Sequence, residues 1–328
     1  MMTNLITVCV PVYNGAPYLS KLLDSLVSQT FEPWTALFID DVSTDNSRDV
    51  IQHYADKDPR IRLVCRESNS GSANVPITQA VNMAQTPWVI VCGQDDWLDS
   101  VYLQRLVDRA EATQADLVIA DMVLTDENEK ELSRIPAVHF DRQQVISGHD
   151  AVKLTIGEWQ IGANGMLSRT ALQQAVSNNA STEMNIDEVN TRKVLALANR
   201  VSFVGTNYHY LIHGESITHK VTPKLFDKME TDYALLRFVM DTYPTDDKLQ
   251  ARQWDVCARD LKSSHYLLWA HKDLFDSEAI GQRMKKNFGQ LAAICLPHSK
   301  DQLKLLFKTG NYHLYLFVLR LKFFFKRK

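Results

Sequence analysis

A chain of 328 residues, 45% apolar and 23% charged, can bury a large core and has the make-up of a folded globular protein. Its net charge of -3 speaks against a general nucleic-acid binder, which would carry a basic excess. Five scattered cysteines form no Cys-x-x-Cys pair, and Cys9 and Cys92 fall in apolar runs as core residues would, which fits a reducing cytosol. Up to about residue 125 the chain alternates strand and helix signals, as a parallel sheet requires. Residues 5–12 are a β-branched apolar run closed by Tyr13-Asn14-Gly15. Leu19, Leu22, Leu23 and Leu26 then recur at helical spacing as far as Gln29. A second strand is expected at 35–39, leading into Asp40-Asp41, with Asp45 as N-cap of a helix through Tyr54. Residues 61–65 read as a third strand, followed by a Ser/Asn/Gly loop over 67–74 and a short helix ending near Ala84. Strands at 88–92 and 117–120 follow, the second after a helix carrying Tyr102, Leu103, Leu106 and Val107.

From about Thr125 to Asp150 the chain is polar and poorly periodic, and reads as an excursion. Residues 158–169, with Trp159 and the small residues Gly162, Ala163 and Gly165, suggest a strand and turn near a ligand. Beyond Pro223 only helical periodicity remains. Leu225, Phe226, Met229, Tyr233 and Leu236 share one face, and further helices are expected at 248–270 and 277–295. A boundary is therefore placed near 220, with a catalytic domain over 1–220 and a helical region over 221–328.

Three acidic pairs punctuate this pattern: Asp40-Asp41, Asp95-Asp96 and Asp187-Glu188. The first two follow apolar strands. Adjacent carboxylates there cost self-repulsion and desolvation, which a metal, a cationic ligand or proton chemistry usually offsets. Acidic residues also simply start helices. Ligands of open α/β sheets bind outside the carboxyl ends of the strands, where such pairs would converge.

Val10-Pro11-Val12-Tyr13-Asn14-Gly15, Asp40-Asp41-Val42-Ser43-Thr44-Asp45, Asn69-Ser70-Gly71 and Gln94-Asp95-Asp96-Trp97-Leu98 follow in that order. Asn185-Ile186-Asp187-Glu188 with Thr191-Arg192, and Tyr208-His209-Tyr210 with Ser216-Ile217-Thr218, come later. Over about 5–220 this series resembles the family-2 glycosyltransferases. The resemblance implies an α/β GT-A fold with a mostly parallel central sheet, a nucleotide-sugar half over 1–100 and an acceptor half over 101–220. It implies that Pro11, Val12 and Tyr13 line the base pocket and that Asp40 accepts a hydrogen bond from a uracil-type base. Asn14, Asp41, Asn69, Gly71 and Gln94 would complete the nucleotide-sugar site. Asp95, with Asp96, would hold a divalent cation, Mn2+ or Mg2+. Asp187 would be the general base, with Glu188 as the alternative. The chain departs from the family pattern at Gly93, which stands where the first Asp of the family's Asp-x-Asp-Asp is usual, at Val75-Pro76-Ile77, and at Leu211, where an Arg is usual. His209, His213, His219 or Lys220 could replace the missing diphosphate cations.

The implied activity is metal-dependent, inverting transfer of a sugar from a nucleoside diphosphate, UDP favoured, to a hydroxyl of a glycan or lipid-linked glycan. Bacterial surface-polysaccharide assembly would be the setting. Two other readings are a nucleotidyltransferase and a non-catalytic nucleotide-sugar-binding scaffold. No leader is expected from residues 1–5, and no apolar run approaches a membrane span. The C-terminal stretch 312–328 would set Leu314, Phe317, Leu321, Phe324 and Phe325 on one helical face. Arg320, Lys322, Lys326, Arg327 and Lys328 crowd the same end. That combination suits an anionic membrane surface, hence a cytoplasmic enzyme peripheral on the inner face of the cytoplasmic membrane.

Overall fold

The computed structural model describes residues 5–176, 186–213, 222–294 and 298–326. Two compact units divide the chain: one spans 1–220 except for short stretches at 156–158 and 183–185, and those join 221–328 in the other.

The first unit alternates strand and helix: β1 (Ile6–Val12), α1 (Ala16–Val27), β2 (Trp34–Asp40), α2 (Ser47–Ala55), β3 (Ile61–Cys65), α3 (Asn74–Met83) and β4 (Trp88–Val91). These four strands are mutually parallel, in the order β3-β2-β1-β4. β1 is buried on both faces, as a strand sandwiched between helices must be. α1 presses Leu19, Leu22, Leu23 and Leu26, all fully buried, against this sheet, each worth roughly 1.5–3 kcal/mol. The expected cap of α2 differs. Asn46 holds the N-cap position, and Asp45 instead accepts from Ser47 N–H and Ala16 N–H, stitching the starts of α2 and α1 together.

Past β4 the pairing turns mixed. β5 (Trp97–Leu98), α4 (Tyr102–Thr113), β6 (Leu117–Thr125), β7 (Glu131–Ile135), α5 (Gly148–Lys153), β8 (Gly165–Ser168), α6 (Arg169–Val176), α7 (Ile186–Leu197) and β9 (Val201–Leu211) complete the unit. The sheet continues β4-β8-β6-β9-β5, with β7 on β6. β6 and β9 are parallel, and the other new pairings are antiparallel. The stretch read as an excursion holds β7 and α5. Every residue of β7 is exposed, so it has no inward face to leave an apolar alternation.

The second unit is helical: α8 (Lys228–Thr242), α9 (Asp247–Ala270), α10 (Ser277–Ala293), α11 (Lys304–Lys308) and α12 (Tyr312–Lys326), preceded by a 3-10 turn at Pro223–Asp227. Its core joins Trp254, Phe288, Phe307, Tyr315 and Leu319. No described helix is long and apolar enough to cross a membrane.

Candidate active site

β1 ends at Val12 opposite Asp40, the last residue of β2, and Asp41 N–H donates to the Val12 carbonyl at 2.7 Å. Residues 11–14 and the first acidic pair therefore share one rim. Tyr13 exposes its ring, while the Gln94 side-chain amide grips its backbone twice. Tyr13 N–H donates to Oε1 at 2.9 Å, and Nε2–H donates to the Tyr13 carbonyl at 3.1 Å. Asn14 sits at φ +50° and accepts from Thr44 N–H. Asp40 is 0% exposed: Arg48 Nε donates to Oδ2 at 2.6 Å, and Ser43 N–H lies 3.2–3.3 Å from both oxygens. Asp41 pairs with Arg66 Nε at 2.7 Å and accepts from Ser70, while Asn69 Nδ2 donates to its carbonyl. Gly71 N–H closes this turn on Asn69 Oδ1 with φ +70°, which glycine adopts without a Cβ clash. The first pair is thus neutralised by two arginines of the chain itself. Arg48 and Arg66, the latter immediately after β3, were not singled out by the sequence reading.

The second pair splits. Asp96 is 3% exposed, and its oxygens accept from the Tyr208 hydroxyl and from Leu211 N–H, which ties the turn after β4 to β9. Burial, then the charge of Asp95, push its pKa up to about 7. As arranged it presents no oxygen to a bound ion, contrary to the expectation that it shares one with Asp95. Asp95 faces outward, and Oδ2 lies 3.0 Å from His213 Nε2. A carboxylate only accepts, so Nε2 carries the proton and Nδ1 faces the Tyr18 hydroxyl at 3.3 Å. Gly93 permits this arrangement: a Cβ there would stand 2.5 Å from Asp96 Oδ2 and 2.9 Å from Asp95 Oδ1.

The third pair opens α7. Asp187 is exposed along its side chain, yet the protein around its carboxyl removes enough water that desolvation raises its pKa, against the pull of Arg192. Glu188 is engaged differently, its Oε2 3.3 Å from Arg192 Nη1. Arg192 is 3% exposed, donates to the Thr155 carbonyl and hydroxyl and to the Glu188 carbonyl, and stacks 4.2 Å from the Trp159 ring. Tyr210 links the acidic groups. Its phenol pKa is raised by burial and then by the charges of Asp96, Asp95 and Asp187, which places the outward Asp95 and Asp187 within electrostatic reach of one hydroxyl.

The structure brings together Pro11 to Asn14, Asp40, Asp41, Asn69, Gly71, Gln94, Asp95 and His213. His209 departs: it stacks on Trp97 at 5.0 Å and pairs with Asp99 at 2.8 Å. Its β9 neighbours Tyr208 and Tyr210 take the opposite face, towards Asp96 and Asp95, as strand alternation dictates. That alternation was readable in Tyr208-His209-Tyr210 and would have singled out the tyrosines. His219 and Lys220 lie outside the described residues. Among the described residues no three His, Cys, Asp or Glu side chains gather as a metal shell. Asp95 nevertheless fits a hard divalent ion whose remaining ligands come from diphosphate and water, a common arrangement for Mg2+.

The nine-stranded mixed sheet of the described residues, with acidic residues at the carboxyl ends of its parallel strands, is the architecture of an α/β protein of GT-A type. The sequence model of glycosyl transferase family 2 matches residues 7–174, and the chain belongs to that family. It is 31% identical over 119 residues to the poly(ribitol-phosphate) beta-glucosyltransferase of Bacillus spizizenii. That match covers 36% of this chain but only 19% of the relative. Glycosyltransferase GlyG of Streptococcus pneumoniae is 21% identical over 63% of this chain and 70% of its own length. The crystal structure of Staphylococcus aureus TarS 1–349 shares the fold with a TM-score of 0.67 at 17% identity, over 93% of this chain and 86% of that one.

Proposed function

We propose that this chain is a metal-dependent, inverting glycosyltransferase that moves a sugar from a nucleoside diphosphate to a hydroxyl of a glycan or lipid-linked glycan in surface-polysaccharide assembly. The observation that carries this reading is the pairing of outward Asp95, held by His213, with exposed Asp187, both acting on Tyr210. Crystals of TarS 1–349 with UDP-GlcNAc and with UDP support a UDP-type donor on this fold.

The base enters beside Tyr13. Among the described residues Oδ1 of Asp40 meets only Ser43 N–H, at 3.3 Å, but the side chain is fully buried, so it would accept a base N–H only after the rim beside Tyr13 shifts to uncover it. Asp95 would hold the divalent ion, which would supply positive charge against the departing diphosphate. Asp187 takes the proton of the acceptor hydroxyl as that oxygen attacks the anomeric carbon from the face opposite the diphosphate. One displacement inverts the centre, and a raised carboxyl pKa makes Asp187 the stronger base. Glu188 is held by Arg192 and serves the fold. Exposed Leu314, Phe317, Leu321 and Phe324 on α12, with Arg320 and Lys322 beside them, suit docking on an anionic membrane.

Calorimetry of UDP with Mn2+ tests the reading. Asp95→Ala should abolish the enhancement of UDP binding by Mn2+ while leaving Tm unchanged. An undiminished metal effect in the variant overturns the assignment.

A further inference from the structure

We propose that Trp159 is a stacking platform for a ring-form sugar of the acceptor, held beside the general base by Arg192. This rests on the glycosyltransferase reading above and adds the acceptor class to it. Trp159 is 38% exposed, and the Arg192 guanidinium lies 4.2 Å from its ring. That guanidinium does not rotate freely. It donates to the Thr155 carbonyl at 2.9 Å and hydroxyl at 3.1 Å, and to the Glu188 carbonyl at 2.9 Å. The indole therefore rests on a fixed support, so little side-chain freedom remains to be lost when a ligand covers it.

The same guanidinium locates the platform. It reaches the carbonyl of Glu188, one residue from Asp187, and its charge acts on the Asp187 carboxyl. A group on the Trp159 ring thus lies along the first turn of α7, where the acceptor hydroxyl must approach Asp187. A pyranose offers a face of C–H groups that packs on an indole, with hydroxyls left at its edge for the base. An acyclic polyol phosphate has no such face, and it would need cations. Arg192, 3% exposed and turned onto Thr155 and Glu188, is not placed to neutralise a phosphate at this spot. Trp159 is thus the acceptor-contacting residue and Arg192 the positioning residue.

The full chain carrying 5-fluorotryptophan provides the test, with the Trp159 resonance assigned by its loss in Trp159→Phe. Methyl hexopyranosides of the gluco, galacto and N-acetylgluco series would be titrated in the presence of UDP and Mn2+, with ribitol 5-phosphate as the acyclic probe. At least one pyranoside should shift the Trp159 resonance saturably, and ribitol 5-phosphate should not. Trp159→Ala should weaken that pyranoside at least tenfold with UDP affinity unchanged, and Trp159→Phe should recover part of the loss. No shift with any pyranoside, or an equal shift with ribitol 5-phosphate, overturns the proposal. Failure of UDP itself to bind, read by calorimetry on the same protein, would instead sink the donor-site reading.

Discussion

Gln94 ties the turn after β4 to the chain just past β1. An amide both donates and accepts, and here it spends both capacities on the Tyr13 backbone. Gln94→Glu keeps the acceptor, loses the donor and sets a charge against the Tyr13 carbonyl. The expected cost is about 1–3 kcal/mol of stability, with weaker UDP binding, read by urea titration and calorimetry. Val42 follows the first acidic pair at φ +66°, a conformation that costs a β-branched residue roughly 1–2 kcal/mol. Val42→Gly should therefore leave Tm unchanged or raise it, despite the added freedom of the unfolded chain. A clear fall would show that the Val42 side chain contributes more than its backbone costs. Asp187→Asn keeps the shape and removes the base, so turnover should fall by ~10²–10⁴ with UDP affinity retained. Glu188→Gln should lower stability more than turnover, because it weakens the Arg192 pair. The reverse pattern would move the base to Glu188.

At the scale of elements, α12 serves on two faces. Tyr315 and Leu319 are fully buried against Phe288 and Phe307, while Leu314, Phe317, Leu321 and Phe324 are exposed. The side chains of Phe325 and Lys326, and residues 327 and 328, lie outside the described set. Removing 312–328 would strip the core of the helical unit, so truncation cannot separate anchoring from folding. Surface changes can. Phe317→Ser with Phe324→Ser should leave Tm nearly unchanged and abolish binding to anionic vesicles. Leu319→Ala should cost about 2–5 kcal/mol. Unaltered vesicle binding by the double variant would remove the membrane role from α12. The Asp96 contacts do similar joining in the sheet, since Tyr208 and Leu211 on β9 fix the turn that presents Asp95.

Across the whole molecule, stability should depend on pH through His265 in the helical unit. Its Nδ1 meets the Leu261 carbonyl and its Nε2 the Tyr312 hydroxyl, and burial lowers its pKa from 6.5 to about 4. Between these values the unfolded chain binds a proton that the folded chain refuses. Stability is then full above 6.5 and falls as pH drops towards 4, by an amount on the order of 3 kcal/mol. Asp96, whose folded pKa is raised to about 7, acts in the opposite direction over the same range. The test is therefore the difference between parent and His265→Gln in urea titrations from pH 7.5 to 4.5, in which the parent should lose stability relative to the variant as pH falls. An unchanged slope in the variant would assign the dependence to other groups. Local signals were enough to mark the parallel core, the helix faces and the order of the site motifs, because strand and helix periods and turn residues are properties of neighbours in sequence. β7, exposed throughout, and the two-residue β5 left no such period. The same sequence could not say that Asp40 and Asp41 would meet Arg48 and Arg66, that Asp96 would turn inward while Asp95 turns out, or that His209 would face Asp99. Burial and charge pairing are decided between residues distant in the chain, and only the packed tertiary structure brings those partners within reach.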